Sequence, residues 1–481
     1  MNKAPMNQPL DIQTCETARL SRDARFDGKF FTGVLTTGIF CRPICPARPP
    51  KPENVQYYLS AEQAQLAGFV PCKRCFPEQA AFKSLPIKLK KIITNFDYKS
   101  DNLTSMANKL QISPRQIQRL FQQYYGLSPS EYFQQQRLLL ARKLISTTDL
   151  SISDVCFASG FNSIRRFNEA IKCCYQCSPK ELRKNQKSNI NAEYLTINLA
   201  YRPPFDWSLM LEFFQHRQII GMEQVTKTSY HRSVMIDDCT GWLAISHHQT
   251  KSALVMKISL SDYSYLNNVI TRVRRMFDLD ADMDLIHSQL SRHAYLAQII
   301  KKYQGLRLPG CWDIFEFSIR AILGQQVSVK AATTFAKRIT EQYGQQLSEL
   351  PEAFSLTFPT INTLLSADFE GIGLTKTRIA TLQRWIDYFH QNQDIIENYQ
   401  SLESLEKQLC LIKGIGPWTV NYLAMRGLSD PDAFPSADLG IIKALSTEET
   451  KPSNKEILQL AEQWRPWRAY AAIYLWHSLA H

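Results

Sequence analysis

LCLIKGIGPWTVNYLAMR, residues 409–426, sets two apolar, helix-compatible stretches on either side of Gly414-Ile415-Gly416. A lone Gly-x-Gly is compatible with a simple turn. Between two helices it can do more. Glycines let the backbone approach a phosphate closely, and the amides that open the following helix can hold the anion. Fifteen residues after Gly416, PDAFPSADLGIIKAL (residues 431–445) puts Asp438 at the start of a helical run, where an aspartate ordinarily serves as an N-cap.

The rest of the chain divides by composition. It has 481 residues and a net charge of +12, which favours an acidic partner such as nucleic acid. Residues 1–190 hold 28 Lys+Arg against 14 Asp+Glu, and the remainder holds 28 against 30. All eight tryptophans lie after residue 190, and nine of the twelve cysteines lie before it. The composition reads as two proteins of different character joined. The start, MNKAPMNQPLDIQT, is too polar for a signal peptide, and no apolar run reaches the roughly 18 residues of a membrane span. A reduced, cytoplasmic thiol chemistry is therefore expected, in which clustered cysteines suggest metal or catalysis rather than disulfides.

Four pieces are expected: residues 1–86 with strand-like runs such as FFTGVL; residues 87–185, basic and helical; residues 194–304, alternating strands (YLTINLAY, SALVMKISL) with helices (WSLMLEFFQHR, LNNVITRVRRMF); and residues 305–481, mostly helical. The polar run LRKNQKSNINAE, residues 182–193, reads as a linker.

Near the N-terminus, TTGIFCRPICPARPP (residues 36–50) begins the spacing Cys41-x3-Cys45, 26 residues, Cys72-x2-Cys75. Two close pairs joined by a loop suit tetrahedral Zn2+. Most such sites are structural. Here Thr37, Arg42, Arg48, Lys73 and Arg74 surround the cysteines with donors and positive charge, and a zinc-bound thiolate can act as a nucleophile. Cys173, Cys174 and Cys177 have no partner pair and read as packing thiols.

Residues 103–121, LTSMANKLQISPRQIQRLF, carry apolar Leu103, Met106, Ala107 and Leu110, then a turn, then Ser113-Pro114 as cap and first helical position. The second helix turns Arg115, Gln116, Gln118 and Arg119 outward, residue types that read base edges in a major groove. The pattern repeats over residues 151–171, with Gly160 in the turn and Arg165 and Arg166 outward. A long connecting helix, EYFQQQRLLLARKLI, lies between. Tandem helix-turn-helix units are the expectation.

Three resemblances follow from these motifs. TTGIFCRPICPARP with AGFVPCKRC resembles the zinc domain of the Ada family of adaptive-response proteins. That resemblance implies Cys41 as acceptor of a methyl group from a DNA methylphosphotriester, Cys45, Cys72 and Cys75 as the other zinc ligands, and phosphate contacts from Thr37 and Arg48. It also expects an arginine where Val70 stands. Methylation removes one negative charge from the cluster, so DNA binding should tighten. GLSPSEYFQQQRLLLARKLI and GFNSIRRFNEAIKCCYQCSPKELR resemble AraC-type activators. The Gly414–Gly416 turn with Asp438 resembles the helix-hairpin-helix DNA glycosylases, in which such an aspartate drives N-glycosidic cleavage. A carboxylate suits that chemistry because it stabilises an oxocarbenium-like sugar.

YRPPFDWSLMLEFFQHR, GLRLPGCWDIFEFSIRAILGQQVSVKAA, GIGPWTVNY and WRPWRAYAAIYLW resemble the AlkA branch, the 3-methyladenine glycosylases, over nearly all of residues 194–481. This implies a base pocket of Phe213, Trp418, Tyr422 and Trp476. It implies Gln326 as the residue filling the gap left by a flipped base, DNA backbone contacts at Gly414 and Gly416, and a monovalent cation held by the hairpin. Lyase-type relatives carry a lysine where Trp418 stands, so a monofunctional enzyme is expected. Leu439 stands where a tyrosine can occur. No PCHR-like motif is present, so direct reversal of O6-methylguanine is not expected.

The fold class expected is multidomain and mainly α with α/β parts: a small α/β zinc domain, a tandem helix-turn-helix domain, an α+β domain and an all-α helix-hairpin-helix domain. The expected partners are double-stranded DNA, damaged and promoter, and RNA polymerase, without a membrane, for a monomer in a bacterial cytoplasm associated with the nucleoid. The alternative is a transcriptional regulator whose C-terminal half only binds DNA.

Overall fold

In the first third of the chain the sheet is set by alternation. Strand β1 (Phe31–Val34) pairs antiparallel with β2 (Ile39–Cys41) and with β3 (Val55–Tyr58), and β2 pairs parallel with β4 (Val70–Pro71), giving the order β3-β1-β2-β4. The register fixes two faces. Phe31 and Phe40 point to one, where they pack with Ala61, Ala64 and Phe69 around the short helix Ala61–Leu66. Thr32, Val34, Ile39, Cys41 and Val70 belong to the other. The protein is represented by a computed structural model that describes residues 11–77, 80, 89, 92, 93, 96, 103–110, 112–148, 150–184, 194–347, 350, 352–399, 401–446 and 450–479. The expected boundary at residue 86 and most of the expected linker, residues 185–193, lie outside these.

Helices Leu103–Lys109 and Pro114–Tyr125 form the first expected helix pair, and Ile152–Ala158 and Ile164–Tyr175 the second. Ser113 and Gln116 make a reciprocal capping box with Pro114 at the first helical position. Ser163 caps the equivalent helix, and Gly160 sits in the turn before it at φ +84°. Both outer helices bury residues at the same spacing, Ile117, Phe121 and Tyr125 in one and Phe167, Ile171 and Tyr175 in the other. Arg115, Gln116, Gln118 and Arg119, like Arg165 and Arg166, are thereby left exposed. The connecting helix, Pro129–Thr147, contributes Leu139 to the cluster containing Phe31 and Phe40. Strands Leu195–Ala200 and Ala253–Leu260 pair antiparallel within the same compact unit, which comprises residues 1–203 and 248–268.

The second unit, residues 204–247 and 269–481, has its own core. Strands Glu223–Val225, Ser229–Ile236 and Cys239–His247 form an antiparallel meander beside helix Trp207–Gln215. The helical part is built round Ile314–Leu323, which buries eight of its ten residues. One of these is Glu316, which joins Glu223, Arg232 and Arg320 in a buried network: Arg232–Glu316 at 3.0 Å, Arg320–Glu316 at 2.9 Å and Arg320–Glu223 at 3.2 Å. Each carboxylate meets guanidinium, so these charges are paired where they are desolvated. Among the described residues no helix is long and apolar enough to cross a membrane.

Candidate functional site

Helix Leu402–Leu409, the turn through Gly414 and Gly416, and helix Pro417–Tyr422 form the expected helix-hairpin-helix. Gly414 has φ +100°, and a Cβ there would lie 2.2 Å from Thr381 Oγ1. Gly416 caps the second helix with no side-chain bond, and space around it is open. The turn is braced from behind: Gln325 Nε2 donates to the Gly414 carbonyl at 3.0 Å and to Thr419 Oγ1 at 2.9 Å, and Arg384 donates to the Lys413 carbonyl at 2.6 Å. Next to Gln325, Gln326 is exposed with φ +55°, a left-handed backbone conformation uncommon for a residue other than glycine. Leu411 and Leu439, 85% and 79% exposed, are apolar side chains left in solvent beside the turn and the aspartate.

Pro417–Tyr422 runs into a single π turn, Leu423–Gly427, in which Leu428 N donates to the Leu423 carbonyl at 3.1 Å. The chain then loops to Asp438, the N-cap of helix Leu439–Leu445. Asp438 takes the ordinary N-cap role and makes two further side-chain contacts beyond it. Its Oδ1 accepts from Gly440 N at 2.8 Å, Ile441 N at 3.2 Å and Trp476 Nε1 at 2.7 Å, while Oδ2 accepts from Trp418 Nε1 at 2.8 Å. The carboxylate thus anchors both indoles by their N–H groups.

Above it opens a cavity of about 300 Å³ lined by Phe213, Trp418, Tyr422, Trp476 and Asp438. Trp418 stacks on Tyr422 with centroids 5.1 Å apart and planes 15° apart, and Trp476 meets Tyr422 at 68°. All four expected pocket aromatics are brought together. Two residues were not foreseen. Arg426 donates to Tyr422 Oη at 2.8 Å and lies over the Phe213 ring at 4.5 Å; Arg217 lies over the same ring at 3.8 Å. Burial lowers the Arg217 pKa to about 10. Burial would raise the Tyr422 phenol, but Arg426 and Arg217 outweigh it and hold the pKa below the ordinary value. Each arginine sits four residues after the aromatic it serves, a helical spacing that could have pointed to them.

In the first unit the parallel β2–β4 register sets Cys41 and Cys72 at the ends of neighbouring strands. The four sulfurs of Cys41, Cys45, Cys72 and Cys75 lie within 4.8 Å of one another. Amides of Arg42 and Arg74 point at the Cys75 and Cys72 sulfurs, each at 3.4 Å, as suits thiolates. Hydrogen bonding among the sulfurs drives their titrations apart, Cys45 and Cys72 down and Cys41 and Cys75 up. The donor set fits Zn2+. Thr37, Arg48, Lys73 and Arg74 are exposed round the site. Arg42 is not: it is buried, paired with Asp27 through two nitrogens, and donates to the Cys75 carbonyl at 3.1 Å. It braces a ligand loop. Cys173 is exposed, so it is not a packing thiol; Cys174 and Cys177 are half-buried.

Three family models match in chain order: the metal binding domain of Ada over residues 14–78, a helix-turn-helix domain over residues 106–185, and the AlkA N-terminal domain over residues 196–313. With the hairpin and its aspartate, these modules define a fused DNA-binding regulator and glycosylase architecture. A probable bifunctional transcriptional activator/DNA repair enzyme AlkA of Mycobacterium tuberculosis is 33% identical over 98% of this chain and 97% of its own. The chain belongs to this family of Ada–AlkA fusions. DNA-3-methyladenine glycosylase 2 of Escherichia coli is 31% identical over 58% of this chain and 96% of its own. The solved 3-methyladenine DNA-glycosylase from Archaeoglobus fulgidus matches 58% of this chain and 97% of its own with a TM-score of 0.52 and 19% identity, a likeness of fold.

Proposed function

We infer that the chain excises alkylated purines from double-stranded DNA by Asp438-assisted hydrolysis, and that Cys41 senses DNA methylphosphotriesters to switch on transcription. The observation that carries the first part is Asp438 itself, held by two indole N–H groups at the floor of an aromatic cavity beside the hairpin. A flipped base enters between Trp418, Tyr422 and Trp476. N3- or N7-alkylation makes the base cationic, which electron-rich rings attract. Bond cleavage returns an electron pair to the base, which leaves neutral, while positive charge grows on the sugar within reach of the Asp438 carboxylate. Arg217 and Arg426 oppose the bound cation but not the neutral product, so their influence falls on the ground state. Gln326 fills the vacated stack. With Trp418 where a lyase has lysine, the product is an abasic site.

Cys41, Cys45, Cys72 and Cys75 hold zinc, which when bound keeps the sulfurs deprotonated and nucleophilic. Thr37 and Arg48 position the phosphate. Arg115, Arg119, Arg165 and Arg166 contact promoter DNA, with RNA polymerase as the further partner of a monomeric, nucleoid-associated activator. The domain limits proposed are 1–86, 87–185, 194–304 and 305–481. A monovalent cation at the hairpin would rest on turn carbonyls other than those of Lys413 and Gly414, which Arg384 and Gln325 already engage.

The test is multiple-turnover release of 3-methyladenine from N-methylated duplex by zinc-loaded full-length protein, beside Asp438→Asn. Release lost in the variant is expected. Folded wild-type protein that releases no base would leave a regulator whose C-terminal half only binds DNA.

A further inference from the structure

Apart from the Thr32 hydroxyl, the sheet face that carries Cys41 is apolar beside that residue. In the β1–β2–β4 register, Val34, Ile39 and Val70 stand side by side across three strands, and Thr32 lies directly opposite Cys41. These residues floor a cavity of about 460 Å³ that takes in the Cys41, Cys45 and Cys72 ligand positions as well as the space beside them, with Pro43, Pro71 and Arg19 in its walls. The donors Thr37, Arg48, Lys73 and Arg74 are exposed at its rim. Thr32 is 2% exposed, and its hydroxyl has no hydrogen-bond partner among the described residues. The site is therefore polar where a phosphate would rest and apolar, with spare room, where the ester's alkyl group would point. A methyl group does not need such a floor. The valine at position 70 is part of it: a long cationic side chain there would lie across Ile39 toward Cys41.

Resting on the reading of Cys41 as an alkyl acceptor, we propose that the site takes ethyl and comparable short alkyl groups from DNA phosphotriesters, not methyl alone. The Cys41 thiolate forms a bond to the α-carbon of the ester. The carbon–oxygen bond breaks, and its electron pair stays on the phosphate oxygen, leaving an anionic diester and a thioether. No proton, oxidant or further reactant is required. The added carbon crowds the backside attack, but each methylene buried on the floor strengthens binding by about fourfold, which offsets part of the loss.

The test uses zinc-loaded full-length protein and duplexes bearing a single methyl or a single ethyl phosphotriester, with the mass of the Cys41 peptide as readout. The expected result is one ethyl group on Cys41 in the wild type. In Val70→Arg, and in the uncharged Val34→Phe, the ethyl-to-methyl ratio should fall on the order of tenfold, because both fill the floor. Zinc content of one per chain certifies that each variant keeps its site. Methyl transfer without ethyl transfer in the wild type, or an unchanged ratio in both zinc-loaded variants, overturns the proposal and leaves the methyl-acceptor reading standing. Neither alkyl group on Cys41 would overturn that reading as well.

Discussion

Replacing Asp438 by asparagine separates two things the carboxylate does. Asparagine caps helices as well as aspartate, so its Oδ1 can keep the bonds from Gly440, Ile441 and Trp476. The amide nitrogen then replaces Oδ2 and faces Trp418 Nε1, donor against donor, across a contact that is 2.8 Å in the wild type. An unsatisfied, half-buried donor pair costs roughly 1–3 kcal/mol. Losing the charge under the reacting sugar costs on the order of a hundredfold to a thousandfold in rate. Adding Trp418→Phe removes the conflicting N–H. The double variant should recover about 1–2 kcal/mol relative to the sum of the single changes, and none of the activity. All eight tryptophans lie in the second unit, so urea unfolding followed by tryptophan fluorescence reports on the unit that holds the site. Base release by Asp438→Asn above about a tenth of wild type would refute the catalytic role of the charge. Additive stability changes in the cycle would refute the donor conflict.

Asp27→Ala strands the buried Arg42 guanidinium and should cost about 3–5 kcal/mol, seen as loss of bound zinc by metal analysis. Gly414→Ala puts a methyl group into Thr381 at positive φ; a loss of roughly 2–4 kcal/mol and weaker binding to duplex DNA are expected from unfolding and titration. His287 is held neutral by burial and by Arg307, its pKa lowered to about 4 from 6.5. The unfolded chain binds that proton first, so stability of the second unit should decline as pH falls from 6.5 toward 4, and His287→Gln should flatten the slope.

What could be read from the sequence depended on whether a residue's role is local. Ser113, Pro114 and Gly160 announce helix ends by chemistry confined to one turn, and the helix-turn-helix pairs stand where they say. The cysteine spacing likewise closes on itself. Asp438 can be picked out in the sequence but not resolved there, because a helix cap and a proposed catalyst would use the same carboxylate; the two indole bonds, made by residues 20 and 38 positions away, are visible only in the fold. The sequence places Arg42 beside the cysteines but does not show that it is buried, because its partner, Asp27, is fifteen residues away on a different turn. Arg217, just past the helix that carries Phe213, and Arg426, in the π turn after Tyr422, each stand four residues after an aromatic, but that spacing alone does not tell a surface pair from guanidinium groups packed on Phe213 and Tyr422 in a cavity wall.

The π turn at Leu423–Gly427 holds one residue more than a regular helix would use. Deleting any one of those five would let the helix close normally, a local gain. It would also rotate Trp418 and Tyr422 by about 100° relative to the loop that delivers Asp438, and the indole would miss its carboxylate. Between Tyr422 and Asp438 the chain can thus tolerate changed letters better than a changed count. An insertion or deletion there is the kind of genetic accident that would improve the helix and abolish the pocket.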